Sequence, residues 1–283
     1  MLSYRHAFHA GNHADVLKHI VLSLVIDYLK QKEKPFWYID THAGTGAYAL
    51  DSLEAKKNTE YESGIARLLE RRSALPEFTQ SYFSVVDAIN ADELNGEGLK
   101  SYPGSPAFAA QLLREQDRLR LFEMHPQDSE ILRSNFQRER RTVVAASDGF
   151  VGLKALLPPP SRRALVLIDP PYELKEDYAR VVSVLEDALR RFATGTYMVW
   201  YPLLPRAEAA RLPQQLAALA APSLRIELRV NEPQGEFGMY GSGMFVINPP
   251  WLLRDQMKLL LPLLREIMGA PGRSDFVLEA TGS

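Results

Sequence analysis

Val16, Ile20 and Leu24, with Tyr28 one turn on, recur at the spacing that places side chains on one face of a helix; this predicts a helix over 12–31 capped by Asn12. Pro35 breaks that pattern, and Phe36-Trp37-Tyr38-Ile39 reads as a short buried strand that runs into Asp40-Thr41-His42-Ala43-Gly44-Thr45-Gly46. From 51 to 104 the chain changes to polar helical pieces, 64–72 and 77–88, broken by prolines and by Asn95-Gly96. That stretch is predicted to be an inserted helical subdomain. Beyond it, strands (119–124, 142–146, 164–168, 197–201) alternate with helices (127–136, 149–156, 176–192, 207–219). Two more strands, 224–230 and 244–247, are joined by the glycine-rich segment 234–243, and only a terminal helix is expected after them. The alternation predicts an α/β fold: a Rossmann-like parallel sheet covered on both faces, closed by an antiparallel pair. Its body would be 1–50 and 105–283, with 1–11 a tail ahead of the first helix.

With 283 residues and 46% hydrophobic content the chain can bury a sizeable core. No run approaches the ~20 apolar residues of a membrane span, and the N-terminus lacks the apolar core of a signal peptide, so a cytoplasmic protein is expected. The sequence has no cysteine, which excludes disulfides, thiolate metal sites and iron–sulfur clusters. A net charge of −2 gives no global field for nucleic acid, so such contacts would have to come from local clusters. Candidates are Arg138, Arg140 and Arg141; Arg162 with Arg163; Arg190 with Arg191; Lys56 with Lys57; and Arg5 among the N-terminal histidines. For each short run a solvated helix end or turn is the stronger reading. His9 and His13 are four apart, but no carboxylate or cysteine completes a persuasive first shell, and no metal is expected.

A strand ending in an acidic residue and Gly44-Thr45-Gly46 is the arrangement that brings backbone close to a nucleotide-like ligand at the carboxyl ends of parallel strands. No acidic residue closes a second strand about 20 residues later, as a dinucleotide site requires. If 51–104 is an insertion, Glu123 recovers that role at the tip of the second strand, where it would accept from both ribose hydroxyls. Asp148, followed by Gly149, is then placed either to accept from an adenine amino group or simply to cap a helix.

The most informative stretch is Asp169-Pro170-Pro171-Tyr172, which breaks a wholly apolar strand at its carboxyl end. The lone pair of an adenine N6 is delocalised into the ring, so that nitrogen attacks only when acceptors hold its hydrogens in a pyramidal geometry. The Asp169 carboxylate and the Pro170 carbonyl could be those acceptors, on a loop stiffened by proline. Tyr172 could stack on a base swung out of its helix. Asn248-Pro249-Pro250-Trp251 fits the same pattern, but prolines ahead of a terminal helix are a routine start signal, so Asp169 is preferred.

The chain resembles the bacterial RlmJ family, which methylates N6 of an adenine in 23S ribosomal RNA. The resemblance rests on residues 4–19 (Tyr4-Arg5-His6-Ala7-Phe8 through Lys18-His19), on 40–46, on Tyr102-Pro103-Gly104-Ser105-Pro106, on Asp169-Pro170-Pro171-Tyr172-Glu173, and on Gly241-Ser242-Gly243-Met244 through Pro250-Trp251. It implies a Rossmann-like class I methyltransferase sheet with a small inserted helical subdomain. It also implies S-adenosyl-L-methionine as cofactor, held by His19, His42, Gly44, Ser105, Glu123, Asp148, Gly149 and Asp169. Asp169, Pro170 and Tyr172 would then be catalytic, and Tyr4, Arg5 and His6 would meet 23S ribosomal RNA. Pattern alone reads His19 as a core histidine and Ser105 as a helix cap. A monomer without membrane contact is expected. The rival readings are a DNA adenine or protein-glutamine methyltransferase, or a non-catalytic nucleic-acid-binding protein of DNA uptake or catabolism.

Overall fold

The computed structural model describes residues 6–91, 99–233, 235 and 238–282. Helix α1 (His13–Lys30) leads to β1 (Trp37–Asp40) and β2 (Ala47–Ala49). Then come α2 (Leu53–Asn58), a π-helical turn (Glu62–Ala66) running into α3 (Arg67–Glu70), α4 (Gln80–Asn90) and β3 (Ser101–Pro103). Next are α5 (Ser105–Leu112), β4 (Arg118–Phe122), α6 (Pro126–Asn135), β5 (Thr142–Ala145), α7 (Gly149–Leu156), β6 (Ala164–Ile168), α8 (Lys175–Arg191) and β7 (Thr196–Leu203). The chain closes with α9 (Ala207–Ala217), β8 (Ser223–Arg229), β9 (Gly241–Ile247), α10 (Leu253–Met268) and β10 (Asp275–Thr281).

Eight strands form one sheet in the order β10-β8-β9-β7-β6-β1-β4-β5. β1, β4, β5, β6 and β7 are parallel, whereas β9 runs antiparallel to both β7 and β8, and β10 antiparallel to β8. The order reverses between β1 and β6, which opens a crevice at the carboxyl ends of those strands. Alternation along β6 divides the core: Leu165 and Leu167 face the side of α1, α5 and α10, while Ala164, Val166 and Ile168 face α7, α8 and α9. All five are buried, as a central parallel strand requires.

The structure adds to the sequence reading in four places. β2 and β3 pair antiparallel as a small ribbon, Ala47 opposite Pro103. The stretch between them lends Ile65, Leu68, Tyr82 and Phe83 to the core beneath α1. The helix expected over 64–72 is reduced to α3, and Gly64 ahead of it is non-helical (φ −104°, ψ −105°) and packed so closely that a Cβ there would meet the Gly11 carbonyl oxygen at 2.2 Å. A strand, β10, follows the terminal helix, where none was expected.

Candidate active site

The turn after β1 is held by a buried carboxylate. Tyr38 and Ser105 each donate a hydroxyl to Asp40 Oδ2 at 2.7 Å, and the His42 amide donates to Oδ1 at 3.2 Å. Burial pushes the Asp40 pKa up to about 6 against those bonds. Gly44 and Gly46 take left-handed φ values of 59° and 85° beyond it. Glu123, just past β4, accepts from the Gly44 amide (2.9 Å) through Oε2 and from the His125 amide (2.7 Å) through Oε1. Burial raises its pKa as well. Asp148 caps α7, accepting from the Phe150 and Val151 amides, and its other oxygen accepts from Arg180 at 2.6 Å. The helix-cap reading of Asp148 therefore holds in the structure. Ser105 is the first residue of α5, whose cap is Gly104, so the cap expected at Ser105 is corrected: its hydroxyl is spent on Asp40.

Asp169 closes β6, and its Oδ2 accepts from Lys18 Nζ at 2.6 Å. The same ammonium reaches Asp15 Oδ1 at 2.9 Å, and Asp15 Oδ2 bonds to His6 Nε2 (2.8 Å) and the Gly11 amide (3.0 Å). Burial disfavours a charged lysine, but the two carboxylates outweigh it and hold Lys18 protonated. The sequence reading gave Lys18 and Asp15 no role, and marked Asp40 only as the acidic residue that ends the first strand. The i,i+3 spacing of Asp15 and Lys18 was the available signal.

His6, His19, His42, Gly44, Ser105, Glu123, Asp148, Gly149, Asp169 and Pro170 all line one cavity at the carboxyl edge of the sheet. His19 bonds to the Tyr102 hydroxyl through Nδ1 (3.0 Å), lies stacked 4.7 Å from Phe108 and is neutral because burial holds its pKa well down. Its Nε2 is buried without a hydrogen-bond partner. Burial likewise pushes His42 down to about 4. Tyr4 and Arg5 lie outside the described residues.

Tyr172 departs from expectation. It is 1% exposed, its hydroxyl donates to the Trp200 carbonyl (2.8 Å), and its ring packs 4.7 Å from Tyr178. A ring enclosed in this way presents no face to a base, so the stacking role is corrected to a structural anchor of the loop. Asn248 stands at the opposite edge, because β9 reverses direction: Ile247 pairs with Tyr197 near the start of β7. Its side-chain amide donates to the Ala193 and Gly195 carbonyls. Among the basic runs, Arg141 pairs with Glu139, Arg190 and Arg191 with Asp187, and Arg163 donates to the Leu29 carbonyl near the end of α1. No group of metal-ligating side chains occurs among the described residues.

Comparison with known proteins agrees in scale with this geometry. A family model described as "Ribosomal RNA large subunit methyltransferase D, RlmJ" matches residues 33–278. Two proteins named ribosomal RNA large subunit methyltransferase J are similar over nearly the whole chain. The Haemophilus influenzae protein is 49% identical over 99% of this chain and 98% of its own. The Escherichia coli protein is 52% identical over 93% of each. A crystal structure of a Legionella pneumophila protein superposes with a TM-score of 0.89 at 39% identity, covering 97% of this chain and 99% of that one. With the family model spanning most of its length and relatives near half identity, the chain belongs to the RlmJ family of large-subunit ribosomal RNA methyltransferases.

Proposed function

We propose that this chain transfers a methyl group from S-adenosyl-L-methionine to the exocyclic N6 of an adenine in 23S ribosomal RNA, in the cytoplasm. The observation that carries the proposal is the meeting of Asp169-Pro170 with the glycine turn, Glu123 and Asp148 around one cavity. One observation suits the residues to the cofactor: His19, on the cavity wall, keeps a buried nitrogen with no partner. Glu123 would accept from the ribose hydroxyls, Asp148 from the adenine amino group, and His19, His42 and Ser105 would line the rest. When bound, the cofactor supplies an electrophilic methyl on its sulfonium.

The chain's own work is to hold the attacking nitrogen. Lys18 fixes one oxygen of Asp169 and leaves Oδ1 to accept an N6 hydrogen, while the Pro170 carbonyl accepts the other. These acceptors favour the pyramidal nitrogen, and Asp169 Oδ1 receives the proton that leaves it. Residues 1–11, with Tyr4, Arg5 and His6, and the inserted subdomain 51–104 would serve the RNA.

Asp169→Ala is expected to lower single-turnover methyl transfer to an adenine-containing RNA hairpin by ~10²–10³ at saturating cofactor. Asn248→Ala should leave turnover unchanged while lowering thermal stability, since it removes two side-chain bonds at a residue of φ 52°. An active Asp169→Ala enzyme would overturn the assignment.

A further inference from the structure

Arg180 belongs to α8, the helix that follows the Asp169 loop, and its guanidinium reaches the head of the neighbouring α7 at the cavity wall. There it donates to Asp148 Oδ2 at 2.6 Å and lies 4.6 Å from the centre of the Phe150 ring. Phe150 in turn meets the His42 ring edge-on at 4.8 Å. One planar cation thus touches the carboxylate at the head of α7 and the aromatic wall beside His42. The pair is partly open to solvent, with 44% of the Arg180 and 28% of the Asp148 side chain exposed, but both partners line the same cavity.

We propose that Arg180 is a positioning residue for the cofactor: it orients the Asp148 carboxylate toward the adenine amino group and ties that recognition to the helix carrying the reactive loop. This rests on the cofactor reading given above. Asp148 already spends Oδ1 on the α7 amides, so without Arg180 its Oδ2 would be free to rotate toward water. Burial alone would raise the Asp148 pKa, but the hydrogen bond and charge of Arg180 outweigh it and hold the group below the usual range. The groups facing it are Arg180 on α8 and the amides at the head of α7, with His42 across Phe150.

The test is calorimetric binding of S-adenosyl-L-homocysteine to the full chain from pH 4 to 8, with a thermal melt of each variant. Arg180→Ala is expected to bind about tenfold more weakly at pH 7.5, and its loss of affinity on acidification should begin at higher pH than in the parent. Arg180→Lys should recover the acid limb, which follows the charge, and only part of the affinity, because it lacks the flat face over Phe150. With Asp148→Asn the two substitutions should be non-additive. Parental affinity in Arg180→Ala would overturn the proposal, as would equal losses in the alanine and lysine variants with an unmoved acid limb, the mark of a purely structural role. If the parent itself fails to bind, the cofactor reading falls instead.

Discussion

A single carbon added at Gly149 would lie 2.1 Å from the Thr41 carbonyl oxygen and 2.6 Å from its Cα, both backbone atoms with nowhere to go. Gly149→Ala is therefore expected to push α7 off the turn after β1, costing about 1–3 kcal/mol of stability and weakening cofactor binding at least tenfold; calorimetry alongside a thermal melt checks both, and parental affinity would contradict the close-approach argument. Glu123 and Asp169 were picked out because each stands directly after a recognisable strand, whereas Gly149 was marked by pattern only as the residue after Asp148, its cofactor role coming from the resemblance. Arg180 was not picked out, since its partner lies 32 positions away and nothing local marks it; Lys18 had only its i,i+3 spacing from Asp15, which does not disclose the bond to Asp169, 151 positions on. Tyr172 failed for a different reason: an aromatic residue beside a reactive loop can face a base or anchor the loop, and sequence does not distinguish the two. Its hydrogen bond to Trp200, on a neighbouring strand, does.

At the scale of elements, the segment ahead of α1 is fastened by side chains from two directions. His6 bonds to Asp15, His9 and Asn12 reach Glu60, and the Ile65 amide donates to the Gly11 carbonyl. His6 alone of these reaches the cavity lining. Removing residues 1–5, which spares His6, should leave cofactor affinity intact while lowering methyl transfer to RNA, measured by calorimetry and by turnover on a hairpin; equal turnover would sink the assignment of the tail to RNA. Long elements with one apolar face were legible, and α7 was read with both ends in place. The ribbon of β2 and β3 has three residues on each side, too few for periodicity to show. α5 is apolar nearly all round. β10 buries none of its residues fully, so it carries no alternation against a core.

The whole molecule combines neutral buried histidines with carboxylates of raised pKa, and the two respond oppositely to acid. His13 and His42 are pushed down to about 4 by burial, and burial holds His19 well below its usual range. Each therefore contributes stability above the unfolded value of about 6.5 that is lost as pH falls toward the folded value. His9, raised by its hydrogen bond to Glu60, works the other way, and Asp40 regains stability only below about 6. Between pH 7.5 and 6.0 the three lowered histidines prevail, so the urea midpoint should drop, and His13→Gln should flatten the drop; an identical difference in that variant would refute this account. The reversal of β9 bears on how such chains are recognised. Two short strings of the same chemical type, 79 positions apart, are separated by the intervening β7 and by strand polarity: one ends a strand pointing at the cavity, the other ends a strand pointing away, about 17 Å along a five-residue strand. Rewriting 248–251 as Asp-Pro-Pro-Tyr while erasing Asp169 would preserve the spelling and lose the reaction, so in this fold a signature has meaning only together with the direction of the strand that delivers it.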